Sequence, residues 1–158
     1  MKNVLFLCLG NTCRSPMAAG ILNKKVKEKD IRIKADSAGF ESFHIGDPPD
    51  KRAIDTMKKF GIDISNHRAR LFSQKDFDNF DLIYVMDHKS YNEARYFKRD
   101  ENDAEKVYFM MDLLEPGKRK SVPDPYLSDE EECEVVYNIM DKACDKLIDN
   151  LSKEKIKE

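Results

Sequence analysis

The sequence predicts an α/β fold built on a parallel sheet, and three observations carry that prediction. Val4 to Leu7 is a short unbroken apolar run, the pattern of a strand buried on both faces. It ends at Cys8, where a glycine-bearing turn followed by Ser15-Pro16 marks the start of a helix. Beyond that point strand-like and helix-like segments alternate, which implies right-handed crossovers between parallel strands. A sheet of this kind binds ligands at the carboxyl edge of its strands, the edge where the Cys8 turn leaves.

Element by element, the first helix follows Ser15 and turns Ala18, Ile21, Leu22 and Val26 inward before a charged end at Lys27 to Asp30. Ile31 to Ala35 alternates apolar and basic residues, as an edge strand does. Asp47-Pro48-Pro49 opens a helix carrying Ala53, Ile54, Met57 and Phe60, and Gly61 closes it. Leu82 to Met86 reads as the third strand, His88 to Phe97 as a helix, Lys98 to Lys106 as a solvated loop and Val107 to Met110 as the fourth strand. Glu115 to Tyr126, with Pro116, Gly117, Pro123 and Pro125, is a rigid loop, and Ser128 with Glu131 fits a capping box for the last helix. There Cys133, Val136, Tyr137, Met140, Cys144, Leu147, Ile148 and Leu151 recur at helical steps and predict one buried face. No repeat or linker interrupts the pattern, so residues 1–158 read as one domain with a frayed tail over 152–158.

Composition sets outer bounds. A chain of 158 residues suffices for one sizeable core. Its 28 basic and 30 acidic residues are mixed along the chain, for a net charge of −2, which excludes the basic footprint of a nucleic-acid binder. No apolar stretch is long enough to span a membrane, and Met1-Lys2-Asn3 runs into a strand rather than a secretory signal, so a cytoplasmic protein without membrane partners is expected. Of the four cysteines, Cys8 and Cys13 share one turn while Cys133 and Cys144 lie on the helical face, which is no disulfide framework. No Cys/His grouping has zinc-site spacing, and neither metal nor cofactor is expected.

The turn after Cys8 carries chemistry. The amides of Leu9, Gly10, Asn11, Thr12, Cys13 and Arg14, with Ser15 at the end, have no regular partner and can converge on an anion at the positive end of the new helix. Cys8 sits at the rim of that cup, where a helix terminus and Arg14 favour the thiolate; comparable settings lower a cysteine pKa to roughly 3.5–7.5. Arg14 can hold two oxygens of a phosphate at once. Nucleophile, amide donors and guanidinium together meet the needs of attack on a phosphate monoester. The Cys-x5-Arg spacing alone also fits a buried strand-end cysteine beside a surface arginine. Asp124, in the proline-stiffened loop, can supply a general acid, typically worth about 10²–10⁴ in rate, although Asp-Pro alone also marks an ordinary turn.

The longer string CLGNTCRSP resembles the phosphate-binding loop of the low-molecular-weight protein tyrosine phosphatases. DSAG at Asp36 to Gly39, SNHRAR at Ser65 to Arg70, YVMD at Tyr84 to Asp87 and DPY at Asp124 to Tyr126 follow in that family's order and cover essentially the whole chain. The resemblance implies a three-layer fold with a four-stranded parallel sheet of order 2-1-3-4 and helices on both faces. It implies a phosphocysteine mechanism in which Cys8 attacks, Arg14 clamps the phosphate, Ser15 supports the leaving thiolate, and Asp124 acts first as acid and then as base. Asn11, Ser37 and His67 match a network that shapes the loop, and asparagine tolerates left-handed backbone. Phe43 and Tyr126 match the walls of the substrate cleft, and aromatic walls suit an aromatic leaving group.

The same resemblance gives Cys13 a redox role, trapping an oxidised Cys8 as a disulfide. It implies phosphotyrosine proteins as substrates, a tyrosine kinase among the candidates, with inorganic phosphate or other oxyanions as competing ligands. Phe43 stands where many bacterial members have tryptophan, and Leu127 where some have a second tyrosine, which leaves peptide preference open. Thr12 is shared with the family's protein-arginine phosphatases, whereas Tyr126 favours phosphotyrosine. Arsenate reductases have the same fold and loop but use two further cysteines after the third strand, and residues 86–106 contain none. His44 and His88 read as surface or core residues.

Overall fold

A computed structural model describes residues 1–125 and 130–157. β1 (Lys2–Leu7), β2 (Ile33–Ala38), β3 (Leu82–Val85) and β4 (Val107–Phe109) form one all-parallel sheet in the order β2-β1-β3-β4. Sheet order and strand direction are those the resemblance implies, and β2 is an edge strand as its alternation predicts. Central β1 explains the unbroken apolar run. Val4 and Phe6 enter one hydrophobic cluster, Leu5 and Leu7 the opposite one, and all four are fully buried. Each such side chain contributes about 1.5–3 kcal/mol by leaving water.

Helices α1 (Arg14–Glu28), α2 (Lys51–Lys59) and α6 (Glu130–Lys157) pack over the first cluster. On the other face lie α3 (Lys75–Asn79) and α4 (His88–Tyr96), with α5 (Glu101–Glu105) against β4. The predicted face of α6 is buried at every position from Cys133 to Leu151, and Tyr137 stacks on Phe60 with ring centroids 3.8 Å apart. No helix among the described residues is long and apolar enough to cross a membrane.

Boundaries differ from the sequence expectation where caps decide them. β2 begins at Ile33 rather than Ile31 because Ile31 belongs to the end of α1. Its amide reaches Val26 O at 2.9 Å, Asp30 N reaches Lys27 O, and Asp30 adopts φ 53°, the paired bonds and left-handed residue of a Schellman ending. Gly61, at φ 77°, closes α2 in the same way, with Ile62 N on Met57 O at 3.0 Å. Asp50, not Asp47, caps α2 by accepting from Arg52 N at 2.8 Å. Helix α1 starts at Arg14, one residue before Ser15, and Pro16 occupies its first turn, where a missing N–H costs nothing.

The expected solvated loop over Lys98 to Lys106 contains α5. Asp100 caps it by accepting from Asp103 N, and Arg99 bridges Asp78 at 2.7 Å and the buried Asp103 at 2.9 Å. Charge content hid a cap and an ion-pair network. α3 was also not predicted; its five residues hide Phe77 and Asp76, the latter accepting from Ser73 N. β3 and β4 each stop one residue early, β4 because Met110–Leu113 turns into a 3₁₀ helix. α6 runs to Lys157 and so takes in most of the expected tail. Tyr126, Leu127 and the Ser128 half of the capping box lie outside the described residues.

Candidate active site

β1 delivers Cys8 to the carboxyl edge of the sheet, and the chain then loops over residues 9–13 into α1. The loop's carbonyls are used from outside. Leu9 O accepts from Phe40 N at 2.7 Å and Glu41 N at 3.1 Å, Thr12 O from Asp50 N at 2.7 Å, and Cys13 O from Met17 N at 3.1 Å. Among the described residues the amides of 9–13 make no backbone bond of this kind, and Leu9, Gly10, Thr12 and Cys13 line a cleft of about 280 Å³. Amides left without a backbone partner at a helix start can cradle an anion.

Asn11 holds the loop in shape. It is fully buried at φ 56°, and its Nδ2 donates to Ser15 Oγ and Ser37 Oγ, each at 2.9 Å. Its Oδ1 accepts from Arg70 N at 3.0 Å and faces His67 Nε2 at 3.1 Å. Because His67 Nε2 meets two oxygens, Asn11 Oδ1 and Asn11 O, that nitrogen carries the proton. Burial keeps the His67 pKa below its usual value despite the bond to Asn11, so the ring serves as a neutral strut. Asn11, Ser37 and His67 thus come together as expected.

The same network orients Ser15. With Asn11 donating to Ser15 Oγ, the hydroxyl hydrogen is free for Cys8 Sγ, 2.9 Å away. Cys8 is itself buried, opening only on the cleft. Gly39 makes the fit possible: a Cβ there would lie 2.7 Å from Leu9 O and 2.9 Å from Cys8 O.

Arg14 closes the cup. Its Nη2 donates to Asp87 Oδ2 at 2.7 Å and its Nη1 to Val122 O at 2.9 Å, while Asp124 stands 3.8 Å away. Burial opposes its charge, yet Cys8, Asp87 and Asp124 hold its pKa above the ordinary value. Asp87 also caps α4 by accepting from Ser90 N at 2.8 Å. Sequence reasoning gave Asp87 no role. The parallel register brings it there: Leu7 pairs with Val85, so the chain leaves β1 at Cys8 and β3 just before Asp87 at the same sheet edge.

The cleft wall completes the picture. Asp124, Thr12 and Phe43 line it as expected, with Phe43 72% exposed and its ring 4.4 Å from that of His44. Glu41 and His44 line it too, the latter bonded to Asp47 at 3.0 Å; neither was expected there. Cys13 also borders the cleft, with its Sγ 4.0 Å from Met17 Sδ, and burial pushes its pKa upward. Tyr126 falls outside the described residues.

Cys8, Arg14 and Asp124 thus rim one cleft, and comparison with known proteins gives the family. Residues 3–157 match the family model described as low molecular weight phosphotyrosine protein phosphatase. The chain belongs to that family. It is 36% identical to the low molecular weight protein-tyrosine-phosphatase YfkJ of Bacillus subtilis, over 98% of this chain and 99% of the relative. The human low molecular weight phosphotyrosine protein phosphatase is 36% identical, over 90% of this chain and 91% of its own length. A crystal structure of protein tyrosine phosphatase from Entamoeba histolytica, with Hepes in the active site, superposes with TM-score 0.90 at 33% identity, covering 98% of this chain and 99% of that one.

Proposed function

We propose that the protein hydrolyses phosphotyrosine in cytoplasmic protein substrates through a phosphocysteine intermediate. The observation that carries this reading is the grouping of Cys8, Arg14 and Asp124 around one amide-lined cleft. The Cys8 thiolate attacks phosphorus as the bond to the tyrosyl oxygen breaks, and Asp124 gives its proton to that oxygen. Water then attacks the thiophosphate; Asp124, now a carboxylate, takes its proton, and phosphate leaves with Cys8 regenerated as thiolate. Ser15 Oγ, 2.9 Å from Cys8 Sγ, stabilises the thiolate at both ends of the cycle. The loop amides and Arg14 meet the charge on the transferring group. Phe43 supplies one aromatic wall, and Tyr126 is proposed as the other.

Inorganic phosphate and other oxyanions compete for the same cup, in keeping with the Hepes held in the active site of the Entamoeba relative. Cys13, on the same cleft, is proposed to trap an oxidised Cys8 as a disulfide, releasing water from a sulfenic acid. A second reading, phosphoarginine hydrolysis on the same Cys8 machinery, is favoured by one observation, the small Thr12 in the cleft wall. The deciding experiment measures kcat/KM of reduced protein on matched phosphotyrosine and phosphoarginine peptides, with Cys8→Ser as the blank. The blank loses all turnover and still binds phosphate; turnover surviving in it ends the phosphocysteine mechanism. Preference for phosphotyrosine supports the first reading, and preference for phosphoarginine replaces it with the second.

A further inference from the structure

The catalytic cleft has a neighbour. A groove of about 380 Å³ meets it at Leu9, Arg14 and Asp124 and continues past Lys89 and Pro123. The two compartments differ in charge. In the cleft, the amide of Glu41 is pinned to Leu9 O, and its Oε1 leans on Gly10, where an added Cβ would lie 3.2 Å from it. In the groove, Lys89 stands exposed on the first turn of α4.

Neither side chain has an ion pair or side-chain hydrogen bond among the described residues, whereas the charged groups around them do. Arg14 holds Asp87, His44 holds Asp47, and Arg52 holds Asp50. An unpaired carboxylate beside an anion cradle repels whatever anion enters. It becomes favourable when the same substrate brings a cation to meet it. Lys89, across the Arg14–Asp124 wall, poses the complementary demand.

We propose that cleft and groove form one charge-polarised track for a phosphopeptide. Glu41 takes a basic residue on one side of the phosphorylated residue, and Lys89 takes an acidic residue on the other. The assignment builds on the protein-phosphatase reading above and adds the substrate's sequence context. An extended peptide advances about 3.3 Å per residue, so residues within a few positions of the phosphoresidue span the two compartments. Like charges at either end oppose binding of peptides in the wrong order, which fixes chain direction as well as composition.

The test uses the Cys8→Ser variant, which keeps the cup without turnover, and three phosphotyrosine peptides measured by calorimetry. One has neutral flanks, one has lysines before and glutamates after the phosphotyrosine, and one has the reverse order. One polar order binds tighter than the neutral peptide by about two- to fivefold for each matched charge, the range of exposed ion pairs, and the other binds more weakly. Adding Glu41→Gln removes the discrimination at the basic end, Lys89→Gln removes it at the acidic end, and about 0.5 M salt shrinks both. Equal binding of the three peptides, or an ordering that survives in the Glu41→Gln, Lys89→Gln double variant, overturns the proposal. Turnover of the neutral peptide by the unsubstituted protein is followed separately. Turnover without charge ordering overturns the track alone, and charge ordering without turnover keeps the track while overturning the phosphatase reading.

Discussion

The two sides of the catalytic cleft are built on opposite principles. On the nucleophile side, Cys8, Asn11, Ser15 and Ser37 are buried, and both polar atoms of the Asn11 side chain are bonded. On the acid side, the Asp124 carboxyl is 56% exposed at the end of a segment held by backbone bonds at Val122, whose N donates to Met86 O at 2.7 Å and whose O accepts from Arg14. Arg14 is the joint between them. The difference matches the tasks proposed for the two sides. An anion cradle works by donors fixed before the ligand arrives. A group that gives a proton in one step and removes one in the next must reach both the leaving oxygen and solvent.

The sharpest way to break this contrast is at the acid. Asp124→Asn is expected to slow hydrolysis of phenyl esters with poor leaving groups by about 10²–10⁴ and activated esters far less, because only the former need the proton. A leaving-group series measures this, and an equal loss across it would assign Asp124 to positioning instead. The cradle is tested next by Gly39→Ala. Its Cβ would meet backbone oxygens at 2.7 and 2.9 Å, which cannot rotate away. A loss of about 1–3 kcal/mol in stability with weakened phosphate binding is expected, read by denaturant midpoint and calorimetry.

The joint is sharpened by pH. Burial alone would raise the Asp87 pKa, but the Ser90 amide and the Arg14 guanidinium outweigh it and hold it below the ordinary 3.8. The folded state therefore binds this proton less readily than the unfolded chain. The stability from the pair is complete above about pH 5 and is lost as pH falls through the folded value. Urea midpoints from about pH 5 down to pH 3 should fall more steeply in the unsubstituted protein than in Asp87→Asn. The smallest effect on activity belongs to the far face: Arg99→Ala, between exposed Asp78 and buried Asp103, is expected to cost about 1–3 kcal/mol of stability and leave kcat/KM unchanged.

Much of the site was legible because its parts lie close in sequence. Cys8, Asn11, Arg14 and Ser15 fall within one turn, and the local chemistry of strand end, amide loop and helix start reads directly from residue types. Asp87 was not legible as the partner of Arg14, since 73 positions separate them and only the β1–β3 register brings them together. Glu41 carries no signal in the sequence and His44 reads there as a surface or core residue, because nothing local announces that the Leu9 carbonyl draws their segment over the cup. Helix α5 was hidden by its charges: its Asp103 is held by Arg99, whose other partner, Asp78, lies on α3.

By itself the sequence determined the α/β class, the two-sided burial of β1, the inward face of α6 and the candidate nucleophile, because hydrophobic period and turn chemistry act over a few residues. Tertiary structure decided which carboxylate holds Arg14, which glycine makes room beneath the loop, and that Glu41 comes to line the cleft with no side-chain partner among the described residues. Those depend on strand register and on distances between segments far apart in the chain, and no local pattern encodes them.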